Sequence, residues 1–355
     1  MQSNSRLYML SFMAQLLHPS AAVDKTYFTA PEPFWERLVQ IGSGHLVLPA
    51  IYGALKRKKL VNYAPKDLVS YLRRITDLNR KRNTAILKQI DFLTEVFRMH
   101  EIDYVFIKGA ALLITKPYKT INERMVGDID ILIVEKDLLR AQQLLIDKGF
   151  AAVPTNKFIF TKGVFSDDYY KHLERISHPN YIAAVEIHRR ILIKENYLMP
   201  TKDILRNKLQ SKQGQWIPSN QHQWQHAILN WQYNDNGMTL NHLSFRVVVD
   251  VLFLETKDMT MNSKTSPRAI KHFYSLLSLY YGKYKTYYPQ KKLIYKWKLQ
   301  SRVFDKSYSF FKNFTGFIFI GFLRTGFFLS SKNYRKRVLQ NPKIFLQRIF
   351  EFWNK

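Results

Sequence analysis

Two aspartates one residue apart, Asp128 and Asp130, open a short apolar run, DIDILIV. In a strand alternate side chains share a face, so both carboxylates point one way and Ile129, Ile131 and Ile133 the other. Carboxylates this close resist joint ionisation unless a cation lies between them. Ligation by oxygen alone suits hard divalent ions, magnesium above all. A third acid on a later strand would complete such a site, and Glu186 in AAVEIH is placed to supply it. An acid within a buried strand costs several kcal/mol unless paired or ligated. Glu186 therefore calls for a cation, or for a salt bridge to Arg189 or Arg190. His188 shares its face and is either a supporting or substrate contact, or simply structural.

The elements that must position these groups follow from the local pattern. Tyr104 to Ile107 predicts a short buried strand, and Lys108-Gly109-Ala110-Ala111 turns into a helix through about Thr115. A helix start beside a glycine turn offers outward backbone N–H groups, for which phosphate is the natural guest, with Lys108 adding a point charge. The loop from Lys116 to Met125 carries Tyr118 and Arg124; Arg124 either neutralises phosphate charge or pairs with Asp128. After the Asp-x-Asp strand, Asp137 is expected to N-cap a helix bearing Leu138, Leu139, Ala141, Leu144 and Leu145, stopped by Gly149. Phe150 to Val153 predicts a strand, a polar loop passes Gly163, and Tyr170–Ile176 with Tyr181–His188 form a hairpin around His178-Pro179-Asn180.

Upstream, residues 1–60 are helical but broken by Pro31, Pro33 and Gly42-Ser43-Gly44. The basic run Lys56 to Lys59 is expected on a solvated face. From Pro65 to His100 the spacing of Leu68, Leu72, Ile75, Leu78, Ile86, Ile90, Leu93 and Phe97 predicts one long amphipathic helix. Arg73, Arg74, Arg80, Lys81 and Arg82 then fall off its stripe, as a basic ridge or an ordinary charged face. Downstream, residues 191–255 are helical, with Arg246 and Asp250 four apart and able to pair. Four regions result: 1–103 helical, 104–190 the site-bearing core, 191–255 a helical substrate-side region, and 256–355 a basic, aromatic-rich helical region.

Composition narrows the classes further. Apolar residues make up 46% of 355, which excludes wholesale disorder. There is no cysteine, so disulfides and thiolate metal sites are excluded. The ten histidines show no HExxH spacing. The first residues lack the basic start and cleavage site of a secretion signal, which places the chain in the cytoplasm. The most apolar window, Phe314 to Leu329, is too short to span a membrane and contains Arg324. The net charge is +28, and residues 256–355 hold 21 Lys and Arg against Asp258, Asp305 and Glu351. Such a surplus implies a polyanionic partner, RNA such as tRNA or an anionic membrane surface, with a peripheral membrane position left open; lysine-rich composition is the plain alternative. YKWKLQSR and NYRKRVLQ interleave aromatics with cations, as a surface-binding helix would.

Taken together, these residues resemble the nucleotidyltransferases of the DNA polymerase beta superfamily, and more narrowly its bacterial "uncharacterised nucleotidyltransferase" family. The resemblance is carried by Lys108, Gly109, Leu112, Tyr118, Arg124 and DIDIL at 128–132, then Glu186 and His188, then Arg246 and Asp250, and covers roughly His45 to Glu255. It implies an α+β fold, a mixed polymerase-beta-like sheet flanked by helical N- and C-terminal segments. It also implies transfer of a nucleoside monophosphate from an NTP to an acceptor hydroxyl, with pyrophosphate released. Two Mg²⁺ (or Mn²⁺) would be held by Asp128, Asp130 and Glu186, with Lys108, Gly109, Ala110, Tyr118, Arg124 and His188 around the nucleotide. Ala110 stands where many superfamily members have a serine, so phosphate binding must lean on backbone N–H groups and Lys108. The competing readings are a DxD glycosyltransferase and a non-catalytic RNA- or membrane-binding module on the same fold.

Overall fold

The computed structural model describes residues 6–118, 120–153, 171–193, 196–256 and 266–284, with helical residues between 318 and 342. Four helices come first: α1 Arg6–Leu17, α2 Glu32–Gly44, α3 Leu48–Arg57 and the long α4 Lys66–Met99. The site-bearing segment follows as β1 Tyr104–Ile107, α5 Lys108–Thr115, β2 Asp128–Ile133, α6 Leu138–Asp147, β3 Ala151–Ala152, β4 Ile176–Ser177 and β5 Ala184–His188. Then come α7 Thr201–Arg206, the hairpin β6 Leu209–Gln210 and β7 Trp216–Ile217, α8 Asn220–Leu229, α9 Gly237–Leu240, α10 Phe245–Leu254 and α11 Arg268–Leu277. A further helix covers Lys332–Gln340. The YKWKLQSR stretch, most of the Phe314–Leu329 window and the loop around Gly163 lie outside the described residues.

The main sheet has the order β1-β2-β5-β4-β3. Only β2 and β5 run parallel; the other pairs are antiparallel, so the sheet is mixed. Strand parity sends Ile129, Ile131, Ile133, Val185 and Ile187 to one face, where they pack with Ile86, Ile90, Leu93 and Phe97 of α4 and with Leu138, Ala141 and Leu145 of α6. Leu132, Val105 and Ile107 look to the other face and join a second core built from α1–α3, α8, α10 and α11. Asp130 has the parity of Leu132. The acidic face of the sheet therefore looks toward the helical body, not solvent.

Several expectations are corrected. Leu78 is 53% exposed, because Thr76, Asn79 and Asn83 take the inward positions at this level of α4. Their side chains meet backbone: Asn79 Nδ2 donates to the carbonyls of Asn122 (2.8 Å) and Arg124 (3.1 Å), and Asn83 Nδ2 to Arg124 (2.8 Å). Arg82 is no ridge residue, since Nε donates to the Val126 carbonyl at 3.0 Å and Nη2 to that of Gly127 at 2.9 Å. Buried carbonyls need donors, and α4 supplies them to the loop entering β2. The 56–59 run is not merely solvated: Arg57 pairs with buried Glu123 and Lys58 donates to the Ala21 carbonyl. Asp137 takes the N-cap position of α6 without a side-chain cap bond, facing Arg140 at 3.8 Å instead. Among the described residues no single helix is long and apolar enough to cross a membrane.

Candidate metal centre and adjoining pocket

Parallel pairing of β2 with β5 sets Asp130 directly beside Glu186 and Asp128 beside Ala184. Both acids that face each other across the ladder are thus on the same side of the sheet, two residues from the start of their strands. The side-chain ligand atoms of Asp130, Glu186 and His188 lie within 4.8 Å of one another, a group able to hold a metal ion; Asp128 falls outside that group. Asp130 is 2% exposed and His188 fully buried. His188 Nε2 donates to Asp130 Oδ1 at 2.7 Å and lies 3.6 Å from Glu186, while its Nδ1 is buried without a partner. Neither Arg189 nor Arg190 reaches Glu186. Arg189 pairs with Glu135 at 3.2 Å, and Glu186 instead faces His188 and, at 3.9 Å, His172.

The Lys108 ammonium donates to Asp130. The sharp turn between β1 and α5 also falls on Lys108, whose φ is +53°, and not on Gly109. A non-glycine residue in this region carries strain of about 1–3 kcal/mol, which persists where surrounding contacts impose it. Gly109 serves another purpose: a Cβ there would meet Val126 Cγ1 at 3.0 Å, so the glycine lets α5 press against the loop. Ala110 is wholly buried.

Charges in this cluster influence one another strongly. Burial alone would raise the Asp130 carboxyl, but Lys108 and the His188 hydrogen bond outweigh it and hold it well below the usual carboxylate range. Burial likewise opposes ionisation of Glu186, yet the His188 bond, His172 and Lys108 bring it down to about 2. Asp128 moves the other way, pushed up by burial and by the charges of Asp130 and Glu186. An acid whose ionisation is opposed by burial and by two neighbouring carboxylates is an acid short of a cation. Oxygen donors crowded in this way fit a hard divalent ion.

Arg124 pairs with Asp250 and not with Asp128. It makes a two-pronged pair with Asp250 on α10, Nε to Oδ1 at 2.7 Å and Nη2 to Oδ2 at 2.9 Å. The Tyr118 hydroxyl donates to the same Oδ1, and burial with the Asp250 charge pushes that phenol far up. The expected Arg246–Asp250 helical pair is therefore absent, because Asp250 is already satisfied from the loop. These contacts tie the loop before β2 to the helical body.

Between sheet and body lies a small pocket lined by Lys108, Leu112, Arg124, Gln223, His226, Ala227, Asn230, Asp235, Arg246, Val247 and Asp250. Lys171 and His172, brought in by a single bridge of His172 to His188, border the acids. Burial lowers His172 to about 4 and, with the nearby Lys108 charge, Lys171 to about 8. None of Lys171, His172, Gln223, His226, Asn230 or Asp235 stands out by local pattern: Gln223 and His226 are buried on α8, but that helix, NQHQWQHAIL, is polar over most of its first two turns, so their spacing carries no signal.

No curated protein matches the chain. A family does: the model for the family described as "uncharacterised nucleotidyltransferase" matches residues 31–269, spanning α2 to the start of α11, and the chain belongs to that family.

Proposed function

We propose that the protein is a metal-dependent nucleotidyltransferase, moving a nucleoside monophosphate from an NTP to an acceptor hydroxyl. One observation carries the reading: Asp128, Asp130 and Glu186 share a face of two paired strands and crowd each other's charge. Those three acids would hold a divalent cation. When bound, the cation neutralises charge developing on the transferring phosphoryl group and its leaving oxygen.

The chain's own groups then have definite tasks. Glu186, ionised at neutral pH, is the candidate to take the acceptor proton. As the acceptor oxygen bonds to the α-phosphorus, the bond to the bridging oxygen breaks and pyrophosphate leaves with the electron pair. His188 fixes the orientation of Asp130 through its Nε2–H. The Tyr118–Asp250–Arg124 cluster acts at one remove, holding the loop and hence the start of β2. For the acceptor, the net charge of +28 supports a polyanion, RNA or an anionic lipid-linked intermediate.

The test incubates the wild type and Asp130→Asn with each α-³²P-labelled NTP, Mg²⁺ and total cellular RNA, lipid and protein. Label transferred by the wild type, and reduced at least ~10³-fold in the variant, is the expected result. The labelled fraction names the acceptor class. No label in any fraction, together with no Mg²⁺-dependent NTP binding, would sink the reading.

A further inference from the structure

Two cations of the site are already committed, Lys108 to Asp130 and Arg124 to Asp250. Others around the adjoining pocket are not. Arg246, half-buried on α10, makes no hydrogen bond or ion pair among the described residues. A guanidinium cannot shed its proton, so a half-buried one calls for an anion. His226 on α8 is only 4% exposed, and its Nε2 is buried without a partner. Burial and the charge of Lys108 keep that imidazole neutral, so it can present one N–H. Lys171 likewise makes no ion pair among the described residues. Asp235, exposed at the rim, is already bonded by Asn230 Nδ2 at 3.0 Å.

The pocket measures about 70 Å³, room for one small polar group and not for a nucleoside. Its free groups are a guanidinium and an imidazole N–H, with an ammonium close by. The cations in the lining outnumber its carboxylates, Asp235 and Asp250, and although both act on Arg246 at a distance neither makes an ion pair with it, so a neutral group would leave the guanidinium without a direct counter-charge. A group that only accepts hydrogen bonds and carries negative charge satisfies all of them, which describes a phosphate. The usual alternative seat, the start of α5, is compromised here: Lys108 is engaged, Gly109 lies under Val126, and Ala110 has no hydroxyl.

We propose that this pocket seats the terminal phosphoryl group of the nucleoside triphosphate, with Arg246 and His226 as its ligands. The inference rests on the nucleotidyl-transfer reading. It places the triphosphate across the wall formed by Lys108, its outer end under α8 and α10 and its α-phosphate toward the acids. Arg246 is then a binding residue that separates triphosphates from monophosphates.

The test titrates the full-length protein, with Mg²⁺, by calorimetry against the four NTPs, the corresponding NMPs and inorganic tripolyphosphate. Arg246→Gln is expected to weaken NTP and tripolyphosphate at least ~10-fold and to leave NMP binding within about twofold. His226→Asn should act in the same direction more weakly, and Arg246→Lys should recover part of the loss. Thermal melting of each variant reports whether it folds, and Arg246→Lys keeps the charge if the glutamine variant does not. NTP binding by the wild type that is unchanged in Arg246→Gln, or lost equally for NMP, overturns the pocket but not the nucleotidyl-transfer reading. A wild type that binds no NTP overturns both.

Discussion

Two clusters of buried charge share the walls of one pocket and are built in opposite ways. In the first, Asp250 receives Arg124 on both oxygens and the Tyr118 hydroxyl on one of them. Donors and acceptors match, and the pair is closed. In the second, Asp128, Asp130 and Glu186 face Lys108 as their nearest ammonium, and His188 keeps an unpartnered Nδ1. Donors fall short there, and Asp128 registers the shortage as a raised carboxyl. A closed cluster fixes one conformation, whereas an open one stores a demand that a ligand can meet. That difference, more than the bare Asp-x-Asp pattern, separates the supporting charges from those proposed to do chemistry.

Substitution at the two clusters should therefore act with opposite sign on stability. Arg124→Met leaves Asp250 buried beside a phenol alone and is expected to cost about 3–5 kcal/mol in urea denaturation. Combining it with Asp250→Leu should return most of that loss, since the desolvated charge goes too. In the open cluster, Asp128→Asn removes a carboxylate whose charge is disfavoured, so the metal-free protein should be unchanged or slightly more stable. A small cost for Arg124→Met together with a large one for Asp128→Asn would reverse the assignment of the two clusters.

How much of this was legible depends on the range over which each feature is encoded. The parity of Asp128, Asp130 and the isoleucines is set by the backbone of a single strand, and α5 begins and ends as its residues suggest. The Glu186 pairing needed only one further strand of the same parity. Arg124 and Asp250, by contrast, are 126 residues apart. Sequence offers each a nearer partner, Asp128 or Arg246, and tertiary packing overrides both. Asn79, Asn83 and Arg82 look like interruptions or outer-face residues of α4, because their partners are loop carbonyls that carry no side-chain signature. The inward positions of Gln223 and His226 were not readable, since α8 is polar at six of its first seven residues and nothing in the spacing separates its buried polar groups from its exposed ones.

Gln89 gives a finer probe of how the open cluster is held in place. From α4 its Nε2 donates to the Ala183 carbonyl at 2.8 Å and its Oε1 accepts from the Ala183 N–H at 3.1 Å, just before β5 begins. Gln89→Leu keeps the packing volume but strands two buried backbone groups. A loss of about 2 kcal/mol is expected, with weaker Mg²⁺ binding because the register of Glu186 against Asp130 loosens. If Mg²⁺ affinity is untouched while stability falls, the ladder between β2 and β5 fixes the acids alone and α4 is only a support.

A smaller loss than at Gln89 should come from a closed polar group beside α1. His18, after α1, accepts the backbone N–H of Ser20 at 3.1 Å and of Ala21 at 3.0 Å on Nδ1, and its ring lies 5.0 Å from that of Tyr281. Burial first, then Lys283 and Lys58 against the opposing Glu255, lowers it from 6.5 to about 4. A group whose folded value is depressed contributes stability above its unfolded value and loses it as pH falls toward the folded one. Stability should thus decline between about pH 6.5 and pH 4 by on the order of 1 kcal/mol, because the ring is half exposed and its charges are screened. His18→Gln should flatten that part of the pH profile. A slope unchanged in the variant would take it away from the contact at α1 and assign it to other histidines held below their ordinary value by burial, His172 beside Glu186 among them.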